Sequence, residues 1–250
     1  MTGRLLLIIA IAVFSGCARN VPPQQPVEIS SSTESSSSST PPSSAAVSQK
    51  EEPKSESEPP NIDSSDWRLA LVNAANPISE DMRVELEVSH GGYMVDKRII
   101  ADLDEMFNAA EAEGVSLILC YGYRSMEQSR QLFEKQINRQ LAAGLEYDKA
   151  VEAAKRWVSP PGTSDHHTGL AVDIVTISNQ VLDHRFAETE AAKWMAENSR
   201  KFGFVIRFPE DKQDITGINY EPWHLRYVGK EHAETMFNEN LCLEEYLEVR

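Results

Sequence analysis

Ser164-Asp165-His166-His167-Thr168-Gly169-Leu170-Ala171-Val172-Asp173 is the stretch on which the reading of this 250-residue chain turns. Gly169 marks a turn, and the run after it alternates as a strand does. Leu170, Val172 and Ile174 share one face, and Ala171, Asp173 and Val175 share the other. An aspartate in such an apolar run needs a partner, because an unpaired buried charge is costly. A metal ion supplies one, with Ala171 leaving room on the same face and one of the adjacent histidines, His166 or His167, as a further ligand. Later in the chain, Glu221-Pro222-Trp223-His224 offers another histidine with a carboxylate three residues before it. Two histidines and two carboxylates suffice for a catalytic zinc site with three ligands, an open position and a general base.

The spacing of the second motif raises a geometric question. In a straight strand Glu221 and His224 would lie on opposite faces, but Pro222 interrupts a regular ladder, and a bend there brings both into one cleft. His224 then completes the ligand set, and Glu221 stays off the metal to take a proton from water attacking a carbonyl. Arg124 sits between a buried strand, Val115 to Tyr121, and a helix that opens at Ser125, where Gln128 three residues on fits a capping box. That junction is a rigid place from which a guanidinium can grip a substrate carboxylate or stabilise an oxyanion.

Outside these motifs the pattern predicts mixed elements. Trp67 to Asn76 reads as an entering strand stopped by Asn76-Pro77, and Val84 to Val88 as a half-exposed strand. His90, beside Gly91-Gly92, reads as a surface or turn histidine, and His184 falls in a polar loop. Helices are expected over Lys97–Glu113 (Ile99, Leu103, Met106, Phe107 and Ala110 inward), over Ser125–Gly144 (Leu132, Phe133, Ile137 and Leu141), over Asp148–Val158 (Val151, Ala154, Trp157 and Val158) and over Glu188–Lys201. Strands at Phe204–Phe208 and Trp223–Val228 follow, then a helix over Lys230–Asn240 with His232 on a solvated face. Without a regular βαβ rhythm, the fold class is α+β, a small, mainly antiparallel sheet flanked by helices.

The N-terminus is organised differently. Residues 1–16 carry one early charge, Arg4, then the apolar run Leu5 to Phe14, which reads as a secretory signal peptide too short to span a membrane comfortably. Phe14-Ser15-Gly16-Cys17 resembles a bacterial lipobox, which implies lipidation of Cys17 as the mature N-terminus. From there to residue 61 the chain is rich in Ser, Pro and Glu and has almost nothing to bury, so a disordered tether is expected. About 45 such residues reach roughly 35–40 Å. Residues 62–250 suit one domain. The net charge of −15, with no basic stripe, speaks against a nucleic-acid partner. Cys120 and Cys242 could pair outside the cytoplasm, and a buried free thiol at Cys120 reads equally well.

Tyr123-Arg124-Ser125, Ser164-x-His166-x-x-Gly169-x-Ala171-x-Asp173 and Glu221-x-Trp223-His224 together resemble the LAS group of zinc peptidases, and within it the VanY-type D-alanyl-D-alanine carboxypeptidases. The likeness runs from about Trp67 to Tyr227. It implies an LAS-type α+β fold and a zinc ion held by His166, Asp173 and His224; that leaves His167 either to support a ligand from behind or to line the cleft. Glu221 would be the general base, Arg124 would contact substrate, and Ser164 would lie nearby in the binding cleft. The implied reaction removes the terminal D-alanine from peptidoglycan stem pentapeptides or their precursors. Relatives often carry a glutamine five residues after the motif arginine, where this chain has Ser129, with Gln128 beside it as a substitute. An L,D-carboxypeptidase acting on tetrapeptide stems would share every metal-site residue. A non-catalytic wall-binding module would have no use for Glu221. The lipobox and tether lead us to expect an extracytoplasmic domain anchored to the bacterial membrane.

Overall fold

The structure, a computed structural model, describes residues 65–79 and 81–249. The expected signal peptide, Cys17 and the tether up to residue 61 lie outside the described residues. Two antiparallel sheets organise the described residues. Strands β1 (Leu86–Val88) and β2 (Met94–Asp96) form a small ribbon. Strands β3 (Ile118–Tyr121), β4 (Ala171–Val175), β5 (Phe204–Ile206) and β6 (His224–Tyr227) form a sheet in the order β3-β4-β6-β5, antiparallel throughout.

Every residue of β4 is buried, which suits an interior strand covered on both faces. One face, carrying Val172, Ile174, Leu225 and Tyr227, belongs to the main apolar core with helices α1 (Ile100–Ala112) and α4 (Glu190–Asn198). Helix α1 contributes Leu103, Met106 and Ala110, the 3–4 spacing read from the sequence, and α4 contributes Ala191, Trp194 and Met195. Burying each large apolar side chain of this set contributes about 1.5–3 kcal/mol. The opposite face of the sheet, with Ala171, Asp173, His224 and Arg226, is left for polar groups.

Helices α2 (Met126–Ala142) and α3 (Tyr147–Lys155) form a hairpin closed by a seam of Ile137, Ala150 and Ala154. The Ser125–Gln128 capping box is present. The seam is short, so two residues expected to point inward do not. Leu141 is 36% exposed near the tip of the hairpin, and Trp157, beyond the end of α3, is 42% exposed.

Two other expectations are corrected. Trp67 to Asn76 is not a strand: only Trp67–Leu69 is regular, one 3-10 turn capped by the Asp66 carboxylate. Its backbone polar groups have other partners, because the Arg226 guanidinium donates to the carbonyls of Arg68 and Ala70 at 2.9 and 2.8 Å. His232, on helix α6 (Lys230–Glu239), is buried rather than solvated. Its Nδ1 lies 2.8 Å from the Tyr246 hydroxyl of helix α7 (Leu243–Val249), an element absent from the sequence reading. The polar link between β5 and β6 carries the short helix α5 (Gln213–Thr216). Cys120 and Cys242 are both free thiols.

Candidate active site

Sheet register brings the site together. Asp173 pairs with Tyr121 on one side and with His224 on the other, so directly opposed side chains share one face. His166 arrives on a 3-10 turn, Asp165–Thr168, where the Ser164 hydroxyl accepts from the His166 N–H at 3.4 Å. The chain then reverses at Gly169, with φ +72°, where a Cβ would come within 2.8 Å of the Asp96 nitrogen. The Gly169 carbonyl accepts from that same N–H at 2.9 Å, so a side chain here would break the contact that fixes the turn.

His166 Nε2 lies 3.3 Å from Asp173 Oδ2, and His224 Nδ1 lies 3.1 Å from Asp173 Oδ1. One ligand atom from each of the three lies within 4.8 Å of the others. A tetrahedral zinc with bonds of about 2.1 Å holds its ligand atoms about 3.4 Å apart, so the spacing fits. Chemistry fits too. The His166 Nδ1 faces the Gly122 carbonyl at 2.7 Å, an acceptor only, so the proton sits on Nδ1 and Nε2 keeps its lone pair. Burial, reinforced by the Arg124 charge, takes the His166 pKa down to about 4, which favours the neutral, ligating form. Asp173 Oδ1 is buried without a hydrogen bond, which is how a carboxylate awaiting a cation is expected to look.

Glu221 and His224 do share the cleft, through the bend anticipated at Pro222. The His224 N–H donates to the Glu221 carbonyl at 3.1 Å, closing a turn ahead of β6. Glu221 Oε2 then stands 3.4 Å from His224 Nδ1. Burial, and next the Asp173 charge, push the Glu221 carboxyl well above its ordinary range, opposed in part by Arg124. Arg124 stacks over Tyr121 at 4.5 Å and brings Nη2 within 3.9 Å of Asp173 Oδ2. Its Nε is buried and unpartnered, a donor left over for something entering the cleft. Arg124, Ser164, Glu221 and the three candidate ligand residues all line one cavity of about 460 Å³. Its outer wall includes Leu132, Arg139, Trp157 and Leu182.

His167 stays off this cluster. The Gly162 N–H donates to its Nε2 at 3.0 Å, so Nδ1 carries the proton and donates to the Arg124 carbonyl at 2.7 Å. It therefore ties the Arg124 junction to the turn at Gly162. Gln128 does not substitute for a cleft glutamine, because its Oε1 accepts from the Ser125 N–H in the capping box. His90 pairs with Asp104 at the surface, and neither it nor His184 joins the metal-ligand cluster. Sequence reasoning missed Asp165, Arg207, Arg226 and Glu244, which form a buried ion network behind the ligands. A signal was available: Arg207 and Arg226 sit inside apolar strand runs, and a charge there demands a partner just as Asp173 does.

The comparisons with known proteins agree with this geometry. The family model described as VanY, D-alanyl-D-alanine carboxypeptidase, matches residues 92–230. A D-alanyl-D-alanine carboxypeptidase of Enterococcus faecalis is 43% identical over 185 residues, covering 74% of this chain and 67% of that protein. The solved structure of VanYB in complex with D-alanine-D-alanine superposes with a TM-score of 0.69 at 42% identity, over 74% of this chain and 99% of that one. A variant of the vancomycin resistance D,D-pentapeptidase VanY in complex with Zn(II) gives 0.67 at 43% identity, over 72% of this chain and 99% of that one. With an α+β sheet, a His-Asp-His cluster and family motifs in register, the chain belongs to the VanY D-alanyl-D-alanine carboxypeptidase family.

Proposed function

We propose that this protein is a zinc D,D-carboxypeptidase that removes the terminal D-alanine from peptidoglycan stem pentapeptides or their precursors. The observation that carries the reading is the convergence of His166, Asp173 and His224 with Glu221 and Arg124 on one cavity. Zinc bound by the three ligands would act as a Lewis acid, activating water and polarising the scissile carbonyl. Arg124 grips the substrate carboxylate or the developing oxyanion, with a buried Nε that has no other hydrogen-bonded partner. Glu221 accepts the proton of the attacking water on a carboxylate oxygen and returns it to the departing amine of D-alanine. The raised affinity of Glu221 for a proton suits that role, and the positive charge of a bound ion would temper it. Ser164 orients the His166 turn from the cleft wall.

We further propose that the enzyme works outside the cytoplasm, held to the membrane through lipidated Cys17 and a Ser/Pro/Glu-rich tether. Support comes from the lipobox-like Phe14-Ser15-Gly16-Cys17 and the composition up to residue 61. Mass spectrometry of the mature N-terminus tests it: an acylated Cys17 is expected, and an unmodified cysteine would refute the anchor.

For the activity, the full chain in detergent is incubated with muropeptides ending in D-Ala-D-Ala, and free D-alanine is measured. Glu221→Ala should slow release by about 10²–10⁴-fold. Unchanged release would remove Glu221 from the mechanism. Cleavage of tetrapeptides alone would replace the D,D reading with an L,D one.

A further inference from the structure

Four charged side chains lie buried behind the metal-ligand cluster, and none belongs to the catalytic set. Asp165, one residue before His166, accepts from Arg207 Nε on Oδ2 at 2.8 Å and from Arg226 Nη1 on Oδ1 at 3.1 Å. The other two nitrogens of Arg207 fork onto Glu244 of α7, at 2.8 and 2.7 Å. Glu244 also accepts from Asn73 Nδ2 at 3.0 Å. Arg226 spends its remaining donors on the carbonyls of Tyr227, Arg68 and Ala70. Two carboxylates and two guanidiniums balance to zero, and the side chains of Asp165, Arg207 and Arg226 are wholly inaccessible.

Placement gives the network its meaning. Arg226 lies two residues after His224 on β6, hence on the same face of the sheet, and opposite it on β4 stands Ala171, small enough to leave the guanidinium room. Arg207 follows β5, and its N–H donates to the His224 carbonyl at 3.1 Å. Asp165 thus grips, through two arginines, the strand that presents His224, while its own chain neighbour is His166. Removing four charges from water is costly, and well-packed apolar side chains often serve stability as well or better. Forked, directional hydrogen bonds offer what apolar packing does not, a fixed distance between two backbone segments.

We infer that Asp165, Arg207, Arg226 and Glu244 are positioning residues: a neutral clamp that sets the spacing of His166 and His224 and so tunes metal affinity. The inference rests on the zinc-site reading given above. It also enlists the flanks of the chain, since Asn73 and Glu244 lie outside the segment 92–230 matched by the family model.

The test uses the full chain with Glu244→Gln, Arg207→Lys and Asp165→Asn, each keeping size while removing a charge or a fork. Three quantities are read: the zinc dissociation constant by chelator competition, the visible spectrum after cobalt(II) substitution, and kcat and KM for D-alanine release. Each variant should weaken zinc by about 10–100-fold, as outer partners of metal ligands do, shift the cobalt bands and lower kcat at nearly constant KM. Unchanged zinc affinity and cobalt spectrum in Glu244→Gln and Arg207→Lys, with only a lower melting temperature, would overturn the inference and leave a plain scaffold. Those two variants decide the matter if Asp165→Asn fails to fold. Failure of the unmodified chain to bind zinc or cobalt would sink the zinc-site reading itself, and the clamp with it.

Discussion

Asp173 and His224 face each other directly across β4 and β6, with Oδ1 and Nδ1 3.1 Å apart, yet Asp173 Oδ1 accepts no hydrogen bond. A buried carboxylate oxygen in that state is stabilised by a cation far more than by its surroundings. Chelation of zinc should therefore abolish D-alanine release and lower the melting temperature, and returning zinc should reverse both. At free zinc 100-fold above its dissociation constant, the stabilisation amounts to about 2.7 kcal/mol. Metal analysis should find about one zinc per chain, and Asp173→Ala should lose nearly all of it. An Asp173→Ala protein that keeps its zinc would contradict the ligand assignment.

His167 makes a second point of control. Its two ring nitrogens bridge the Gly162 N–H and the Arg124 carbonyl, so His167→Ala leaves two groups without partners. That should cost about 2–4 kcal/mol in unfolding experiments. With the backbone of Arg124 loosened, KM for a pentapeptide should rise on the order of tenfold while zinc content holds. His167→Gln, which keeps one donor and one acceptor, should recover much of the loss. A His167→Ala enzyme with unaltered KM would show that the Arg124 junction holds itself.

Acid should unfold the domain in a defined window. Burial raises the Asp66 pKa, but hydrogen bonds from Arg68 outweigh it and take it from 3.8 down to about 2. Asp165 shifts the same way: burial opposes its charge, and Arg207 and then Arg226 overcome that. A depressed folded pKa means stability that is complete above the unfolded value and lost as pH falls through the folded one. Melting temperature should thus drop between about pH 4 and pH 2, and the drop should be shallower in Asp66→Asn. An identical pH profile for Asp66→Asn would count against this assignment.

The two thiols of the domain should be inert in the folded state. Burial, aided by the Asp173 charge, pushes Cys120 up to about 12, and burial takes Cys242 up to about 11. Since the thiolate is the nucleophile, iodoacetamide at pH ~8 should leave both unmodified until denaturant is added. Rapid alkylation of the native protein, read by mass spectrometry, would contradict the raised thiol pKa of the half-buried Cys120 and the buried Cys242.

Much of the site was legible in the residues. An aspartate in an alternating apolar run, a glycine turn after a histidine and a proline between Glu221 and His224 each carry a local physical requirement, and the structure meets all three. Helix α1, the capping box of α2 and strands β4 to β6 follow from period and cap in the same way. The failures share a cause. Trp67 to Asn76 has strand-like composition, but Arg226, more than 150 positions later, takes its carbonyls. His232 looks solvated until α7 covers it.

The sequence by itself pointed to a histidine at 166 or 167, Asp173, Glu221 and His224 as candidate site residues, because residue type, turn glycine and strand period are local properties, and the family motifs singled out His166. Only the tertiary structure decided how those residues meet. The register that aligns Tyr121, Asp173 and His224, the tautomer of His167 and the ion network from Asp165 to Glu244 all depend on partners distant in the chain. Such partners are chosen by packing, hydrogen-bond geometry and charge balance in the folded interior, and no short-range pattern encodes that choice.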